Sequence, residues 1–179
     1  IEADISSNHK RLLEFSETSD VIFHLAGQVA VTTSLADPYR DFEVNAAGTV
    51  KLLEAVRHSS NQPGLVFVST NKVYGGLEEL EIRETEDAYH FSDLPNGVAE
   101  TRALDFHSPY GCSKGSADQY VLDYSRSYGL SAMVLRQSCI YGPRQFGIED
   151  QGWVAWFIIA AVTGKPITLY GNGKQVRDV

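Results

Sequence analysis

Three short apolar runs, separated by helical patterns, constrain the fold of this chain more than any other feature. The runs cover residues 21–25, 65–68 and 132–135, and each is rich in branched or aromatic side chains and closed by small or polar residues. Such runs are typical of strands buried in a parallel sheet. Because strands that alternate with helices build βαβ units with right-handed crossovers, the sequence predicts an α/β fold.

Two proline pairs and one glycine set the expected helix boundaries. Asp37-Pro38 predicts the N-cap and first-turn proline of a helix that runs to about His58, and Ser108-Pro109 repeats the same signal. Gly129 predicts the C-terminal cap of the second helix, since that cap position favours glycine. A further helix is expected over 151–163.

Two other segments have less regular patterns. Residues 75–107 are acidic and lack periodicity, which predicts a long loop that leaves the sheet after the second strand and returns at the Ser108 cap. Residues 167–170 predict a short strand, which a glycine-rich turn follows.

Composition and charge exclude several classes of function. The 179 residues are 43% hydrophobic and 21% charged, and the formal net charge of −8 argues against a nucleic-acid or anionic membrane surface. The longest apolar stretch, 153–162, is too short to span a bilayer. Cys112 and Cys139 lie far apart, without a CxxC pair or histidines at ligand spacing, so no metal site or disulfide is expected. We expect a cytoplasmic protein.

The clearest candidate for chemistry is a tyrosine and a lysine one helical turn apart. Tyr110 and Lys114 share a helix face at a spacing of four residues. A phenol has an ordinary pKa of about 10, and we expect the adjacent ammonium to lower it toward neutral pH. A hydroxyl from Thr70 could bond the same substrate oxygen. The three residues therefore predict a site that moves a proton on or off a sugar or alcohol hydroxyl.

Polar clusters follow each of the three predicted strands. They are Ala26-Gly27-Gln28, Ser69-Thr70-Asn71-Lys72 and Arg136-Gln137-Ser138. In open α/β sheets, ligands bind outside the carboxyl ends of the strands, so we expect these clusters to line one crevice with Tyr110 and Lys114. His24, at the end of the first strand, is predicted to be a packed core histidine.

At these positions the chain resembles the extended short-chain dehydrogenase/reductase family (NAD-dependent epimerases and dehydratases), whose members act on nucleotide sugars. The resemblance implies a Rossmann-like parallel sheet with flanking helices. The motifs that carry it follow the order of the family along nearly the whole chain: Ala3-Asp4-Ile5, residues 24–28, residues 45–49, residues 69–75, Tyr110 to Lys114, residues 136–143 and residues 171–177.

The resemblance implies NAD as the cofactor. Asp4 would bond the adenine amino group, Ile5 would flank the ring, and Lys114 would hold the nicotinamide ribose. Asn45 would support the active-site helix. The complete set of cofactor-binding residues implied is Asp4, Ile5, Leu25, Ala26, Gly27, Gln28, Asn45, Ser69, Tyr110, Lys114 and Gln137.

The same resemblance implies a set of substrate-binding residues, namely Thr70, Asn71, Ser138 and Arg177. Arg177 would reach the phosphates of the nucleotide sugar, which a guanidinium fits well. Thr70, Tyr110 and Lys114 would be the catalytic residues, and no metal would be needed. We also expect a homo-oligomer with neither a nucleic-acid nor a membrane partner.

One departure from the family concerns the glycine-rich phosphate fingerprint, G-x-G-x-x-G, which these residues lack. Because Ala3-Asp4-Ile5 ends the third strand in the family, we expect an internal fragment of a longer enzyme, truncated at both ends. Residues 1–143 would form a partial NAD-binding Rossmann domain, and 144–179 would begin the substrate-binding region. We expect this fragment alone to bind NAD poorly or not at all, and its activity in isolation stays open.

The residues after Thr70 bear on the type of reaction. By the resemblance, nucleotide-sugar 4,6-dehydratases carry an Asp-Glu pair there, whereas this chain has Asn71 and Lys72, neither of which can serve as that acid and base. Dehydration is therefore disfavoured, and epimerisation or simple oxidation and reduction remain.

Longer strings resemble epimerases that invert C2 of a CDP-3,6-dideoxyhexose, of the CDP-paratose to CDP-tyvelose type, in the biosynthesis of cell-surface polysaccharides. The strings are residues 69–75, 95–97, 105–114, 142–147, 150–153 and 173–178. The resemblance implies an NAD-dependent isomerase with a 2-keto intermediate and a CDP-sugar substrate. A UDP-sugar 4-epimerase, which would use the same three catalytic residues, and a non-catalytic nucleotide-binding module are the alternatives.

Overall fold

The computed structural model of the protein describes residues 4–170, which form two compact units. The first holds the chain up to Val73 together with Phe106–Gln137, and the second holds Tyr74–Asp105 together with the chain from Ser138 onward. The segment predicted as a long loop is thus grouped with the C-terminal segment, whereas the sequence analysis placed a single boundary after residue 143.

A three-stranded parallel sheet forms the centre of the first unit. Its order is β1 (Val21–His24), β2 (Gly64–Thr70) and β5 (Ala132–Gln137). All three predicted strands are confirmed. β2 and β5 continue two residues beyond their apolar runs because Ser69 and Thr70 still pair in register with Arg136 and Gln137.

Helices connect these strands, as the alternating pattern predicts. They are α1 (His9–Thr18), α2 (Val31–Ala36), α3 (Pro38–Phe42), α4 (Gly48–His58) and α5 (Ser108–Tyr128), with a π-helical segment at Glu43–Ala47 between α3 and α4. The helix predicted over 37–58 is confirmed in extent, and Asp37 caps it by accepting a hydrogen bond from the Arg40 amide at 3.0 Å. Helices α1 and α2 were not predicted.

The hydrophobic core of this unit lies between β2 and the helices α4 and α5. Its buried members are Leu52, Leu53, Val56, Leu65, Phe67, Ala117, Val121, Tyr124 and Leu130. Phe23 and Met133 both align with Val66 in the sheet, so all three side chains lie on the face of the sheet opposite to Leu65 and Phe67. They are 66% and 57% exposed, which shows that the core occupies one side of the sheet.

The first turn of α5 is held by a polar cap and a ring contact. Ser108 has a φ of +64°, and its hydroxyl accepts a hydrogen bond from the Gly111 amide at 3.2 Å, as the predicted cap requires. A Cβ on Gly115 would lie 2.3 Å from Cε1 of Phe106, so the ring occupies the space that a side chain would need. At the other end, the predicted Gly129 cap is confirmed with a φ of 73°.

The second unit contains a short antiparallel hairpin and one helix. The hairpin joins β3 (Ile82–Glu84) to β4 (Tyr89–Phe91). Residues 75–107 thus leave the central sheet as predicted, but they are not loop throughout. The predicted C-terminal helix is confirmed as α6 (Trp153–Thr163). The strand predicted over 167–170 is also wrong, because no neighbouring strand within the described residues pairs with it. None of the helices seen between residues 4 and 170 is both long and apolar enough to cross a membrane.

His24 is buried at the end of β1, as predicted. It is 3% exposed, and its Nε2 lies 2.9 Å from the Thr49 hydroxyl. That hydroxyl donates its one hydrogen to the Asn45 carbonyl at 2.6 Å, so His24 Nε2 must be the donor to Thr49. Burial, with a smaller effect from the charge of Lys114, lowers the pKa of His24 to about 4, and the ring is neutral at physiological pH.

We expect Gly115→Ala to destabilise the protein relative to Gly111→Ala on the same helix. Both changes gain helix propensity, but only the first forces a methyl group into the Phe106 ring, whereas the nearest atom to a Cβ at Gly111 is 3.7 Å away. Overpacking of this kind typically costs about 2 kcal/mol. Urea unfolding measures the difference in the free energy of unfolding, and equal values for the two variants would contradict the contact.

We also expect the stability contributed by His24 to decrease as the pH is lowered. An unfolded histidine protonates near pH 6.5, whereas folded His24 protonates only near pH 4, so the unfolded state binds more protons between these values. The stability of the wild type relative to His24→Gln should therefore drop by about 3 kcal/mol between pH 7 and pH 4. Urea unfolding across this range measures it, with His90→Gln as the control for loss of an exposed histidine. A stability difference between the wild type and His24→Gln that does not change with pH would show that the pKa of His24 is not lowered in the folded state.

Candidate active site

Thr70 and Tyr110 meet in the first unit. Thr70 is the last residue of β2 and is 8% exposed, whereas Tyr110 lies in the first turn of α5 and is 9% exposed. A hydrogen bond with the Thr70 side chain acts to lower the pKa of the phenol. A phenol and a hydroxyl that share a hydrogen bond can both contact one substrate oxygen.

The effect of these surroundings on the phenol differs from the expectation. The pKa of Tyr110 is raised above 10, chiefly because burial disfavours the phenolate; the Thr70 hydrogen bond opposes this effect, and the negative charge of Asp41 adds to it. The expectation that Lys114 lowers this pKa toward neutral pH is therefore wrong for the structure described. Spacing on a helix shows which groups share a face, but the cost of burial depends on the tertiary packing.

Lys114 lies one turn further along α5 and is 7% exposed. Its ammonium donates a hydrogen bond to the Val68 carbonyl at 2.6 Å and lies 4.3 Å from the centre of the Phe67 ring. Burial lowers the pKa of Lys114 to about 8, while the negative charges of Asp118 and Asp41 act in the opposite direction. At neutral pH the side chain is therefore mostly an ammonium, close to its titration point.

Asn45 connects the end of β1 to the active-site helix. Its Oδ1 accepts a hydrogen bond from the Gln28 amide at 2.9 Å, and its Nδ2 faces both the Gln28 carbonyl at 3.1 Å and the Ser113 hydroxyl at 3.1 Å. A Cβ on Gly27 would lie 2.9 Å from Asn45 Oδ1 and 4.0 Å from Lys114 Nζ. The backbone at Gly27 thus runs close beside the site, where only a glycine fits without displacing Asn45.

The side chains of Gln28 and Ser69, both predicted to bind the cofactor, have partners inside the protein. Gln28 Nε2 donates to the Ala30 carbonyl at 2.7 Å and to Asp41 at 3.0 Å. The Ser69 hydroxyl donates to Asp118 at 2.8 Å. These hydrogen bonds support the local structure, so a cofactor role for either side chain rests on the family resemblance alone.

The residues predicted for the adenine end of the cofactor lie before α1 and after β1. The Asp4 carboxylate accepts hydrogen bonds from the amide and hydroxyl of Ser6 and from Arg40 at 2.9 Å, and these bonds, led by those of Ser6, lower its pKa to about 2. Ile5 lies against Gly48 and packs on the core. Leu25 is 67% exposed, which leaves an apolar side chain at the carboxyl end of β1.

This set of residues fits parts of a dinucleotide. Exposed Leu25 and Ala26 offer an apolar wall, Asp4 offers an acceptor for an amino group, and Lys114 offers a cation for ribose hydroxyls. The close approach of the Gly27 backbone leaves the space beside Asn45 free of any side chain. These features fit the nucleoside ends of NAD, while the glycine-rich fingerprint for the phosphates is absent from these 179 residues.

The remaining predicted residues occupy different places. Gln137 is the Cα partner of Thr70 in the sheet, and Asn71 is exposed directly after β2. Ser138 belongs to the second unit, where its hydroxyl accepts a hydrogen bond from the Cys139 amide at 2.6 Å. Arg177 lies outside the described residues. No group of three His, Cys, Asp or Glu side chains that could hold a metal ion occurs between residues 4 and 170.

Three buried polar residues near the predicted pair were not predicted as site residues, namely Asp41, Ser113 and Asp118. Asp118 could have been found, because the spacing of four that joins Tyr110 to Lys114 continues from Lys114 to Asp118. It forms an ion pair with Arg136 through two hydrogen bonds of 2.9 Å each. Ser113 and Asp41 approach each other from distant parts of the chain, which no local spacing reveals.

Comparison with known proteins agrees with this geometry. CDP-paratose 2-epimerase of Salmonella typhi is 57% identical over 165 residues, which are 89% of this chain and 49% of the relative. A dTDP-glucose 4,6-dehydratase of Escherichia coli K12 is 34% identical over 168 residues, which are 89% of this chain and 44% of the relative. The chain thus spans less than half the length of these two curated relatives.

A solved structure confirms the predicted Rossmann-like sheet with flanking helices. UDP-glucose 4-epimerase of Thermotoga maritima, crystallised with UDP-glucose, matches with a TM-score of 0.79 and 31% identity, covering 99% of this chain and 53% of that chain. The family model described as the NAD dependent epimerase/dehydratase family matches residues 1–179. The chain therefore belongs to the NAD dependent epimerase/dehydratase family.

Proposed function

We propose that the protein containing this chain is an NAD-dependent nucleotide-sugar epimerase that inverts C2 of a CDP-3,6-dideoxyhexose. The observation that carries the proposal is the burial of the Thr70 hydroxyl and the Tyr110 phenol at the end of β2 and the start of α5, with the Lys114 ammonium on the same helix face. The 57% identity to a CDP-paratose 2-epimerase supports the choice of substrate class.

The cofactor would be held by residues of the first unit. Asp4 and Ile5 would contact the adenine, Leu25 and Ala26 would form the nucleotide wall, and Lys114 would hold the nicotinamide ribose. When bound, NAD supplies the acceptor for the hydride that leaves C2 and the donor that returns it. The protein contributes position and charge.

Tyr110 would act as the general base and acid of the reaction. It would take the proton of the C2 hydroxyl as a phenolate and return it after the 2-keto sugar has presented its other face. Thr70 acts to lower the pKa of the phenol, and it would also contact the substrate oxygen. Lys114, as an ammonium below about pH 8, would stabilise the negative charge that forms on that oxygen.

Two alternatives use the same residues. Asn71 and Lys72 stand where the dehydratases of the family are expected to carry their acid and base, which disfavours dehydration. A 4-epimerase acting on a UDP-sugar is the runner-up, supported by the similarity to the Thermotoga maritima enzyme. A non-catalytic nucleotide-binding module would bind ligand without turnover. Several expectations stay predictions: the substrate contacts of Asn71, Ser138 and Arg177, the homo-oligomer, the cytoplasmic location and the role in polysaccharide biosynthesis.

We expect the full-length protein to invert C2 of CDP-paratose without taking up solvent deuterium at that carbon. Because the hydrogen of C2 would leave and return as hydride, proton NMR of the sugar in D₂O should show inversion with the C2 hydrogen retained. UDP-glucose and UDP-galactose are assayed in parallel. Inversion at C4 of the UDP-sugars alone would favour the runner-up, and binding without turnover of any sugar would favour the non-catalytic module.

We expect Tyr110→Phe to lower kcat by a factor of about 10³ while leaving NAD bound, because the change removes only the phenol oxygen. Tyr120→Phe is the matched control, since Tyr120 lies on the same helix and is 48% exposed. NAD content of the purified variants and steady-state rates are measured together. Near wild-type turnover by Tyr110→Phe would exclude the proposed role of the phenol.

A further inference from the structure

Asp41 is a buried carboxylate that contacts the active-site helix. It lies in α3 and is 1% exposed. Its Oδ2 accepts a hydrogen bond from the Ser113 hydroxyl, and its Oδ1 accepts from Gln28 Nε2 at 3.0 Å and from Asn45 Nδ2 at 3.2 Å. All three donors are neutral groups, so they satisfy the oxygens of the carboxylate without cancelling its charge.

The two buried carboxylates near Lys114 differ in how their charge is compensated. Asp118 is fully buried and has a direct partner in Arg136, which holds both of its oxygens. Across the described chain, the ion pairs do not include Asp41. A buried charge without a contacting counter-charge is costly. The charge of Asp41 acts on the buried cation Lys114, in the same direction as the larger effect of Asp118.

Ser113 provides a direct mechanical link between Asp41 and the catalytic pair. It lies on α5 immediately before Lys114, and its hydroxyl is also 3.2 Å from the carbonyl of Tyr110. The bond from Ser113 to Asp41 therefore fixes the helical turn that joins Tyr110 to Lys114. Asn45 supports the same hydroxyl from the other side at 3.1 Å.

We propose that Asp41 is a positioning residue for the Tyr110–Lys114 pair: its bond to Ser113 holds the helical turn between them, and its buried carboxylate, which only neutral donors contact, adds a negative charge that favours the ammonium of Lys114. This inference deepens the proposed function and rests on it for the catalytic consequence. The electrostatic part concerns residues of this chain alone and holds without a cofactor or substrate.

The pH dependence follows from the sign of the charge. A negative charge favours the protonated form of both Lys114 and Tyr110, so its removal should lower both pKa values. The other groups that face the pair are Asp118 with its partner Arg136 and the neutral ring of His24. Removing the charge of Asp41 leaves the charges of these groups as they are. The whole pH profile of the reaction should then move to lower pH, which a purely structural role would not produce.

Asp41→Asn is the sharpest variant because the site can accommodate it. The amide oxygen can accept from Gln28 and Asn45, the amide nitrogen can donate to Ser113, and the Ser113 hydroxyl can turn to the Tyr110 carbonyl at 3.2 Å. Asp37→Asn is the matched control: it removes the same charge from an exposed position at the start of the same helix, and asparagine caps a helix as well as aspartate does.

Two measurements test the proposal. In ¹³C-lysine NMR of the chain without ligands, with the signal assigned by its loss in Lys114→Met, the pKa of Lys114 should fall by about one unit in Asp41→Asn and stay unchanged in Asp37→Asn. In the full-length protein, both limbs of the pH dependence of kcat/KM should move to lower pH by a similar amount. Asp41→Glu, which keeps the charge, should return both limbs toward their wild-type positions.

Each outcome decides the question. A lower rate in Asp41→Asn with an unmoved Lys114 titration and unmoved limbs would overturn the proposal and leave Asp41 a structural residue. If Asp41→Asn does not fold, Asp41→Ser removes the same charge and is titrated by the same criterion. Active Tyr110→Phe would remove the proposed function while the NMR titration still judged Asp41, so the two failures are distinguishable.

Discussion

The burial of the Lys114 ammonium beside the end of β2 is the constraint on which the rest of the site depends. With its pKa lowered from 10.5 to about 8, the folded chain disfavours this charge by about 3 kcal/mol relative to water. The Val68 carbonyl and the Phe67 ring contact it directly, and Asp118 and Asp41 contribute negative charge. One carbonyl, one aromatic ring and two carboxylates thus all stabilise this one buried cation.

The π-helical segment at Glu43–Ala47 explains how Asn45 reaches three separate segments. It interrupts a helix that the sequence pattern presents as continuous, and such interruptions are frequent at functional sites. From this position Asn45 bonds the backbone of Gln28, the carboxylate of Asp41 and the hydroxyl of Ser113. The end of β1, α3 and the active-site helix are therefore held in register by one amide side chain.

Local patterns predicted the parts of this molecule that local physics determines. The apolar runs located the three strands of the central sheet, the proline and glycine signals located the start of the helix after Asp37 and both ends of α5, and a spacing of four found Tyr110 and Lys114. The strand over 167–170 was wrong because a strand also needs a partner. The hydrogen bond of Ser69 depends on Asp118, and the pKa of Tyr110 depends on burial. Both involve distant parts of the chain and leave no periodic signal.

The raised pKa of Tyr110 is consistent with a proton-transfer role once the charges of the site are considered together. As a phenol, Tyr110 adds no charge to a site that already holds two cations, Lys114 and Arg136, and two buried carboxylates, Asp41 and Asp118. Ionising the phenol adds a negative charge in a buried place, which is unfavourable without further compensation. Positive charge brought by a ligand would supply that compensation. Within the proposed function, Tyr110 would thus become a competent base only when the site is loaded, because burial and, to a smaller extent, the charge of Asp41 favour the phenol.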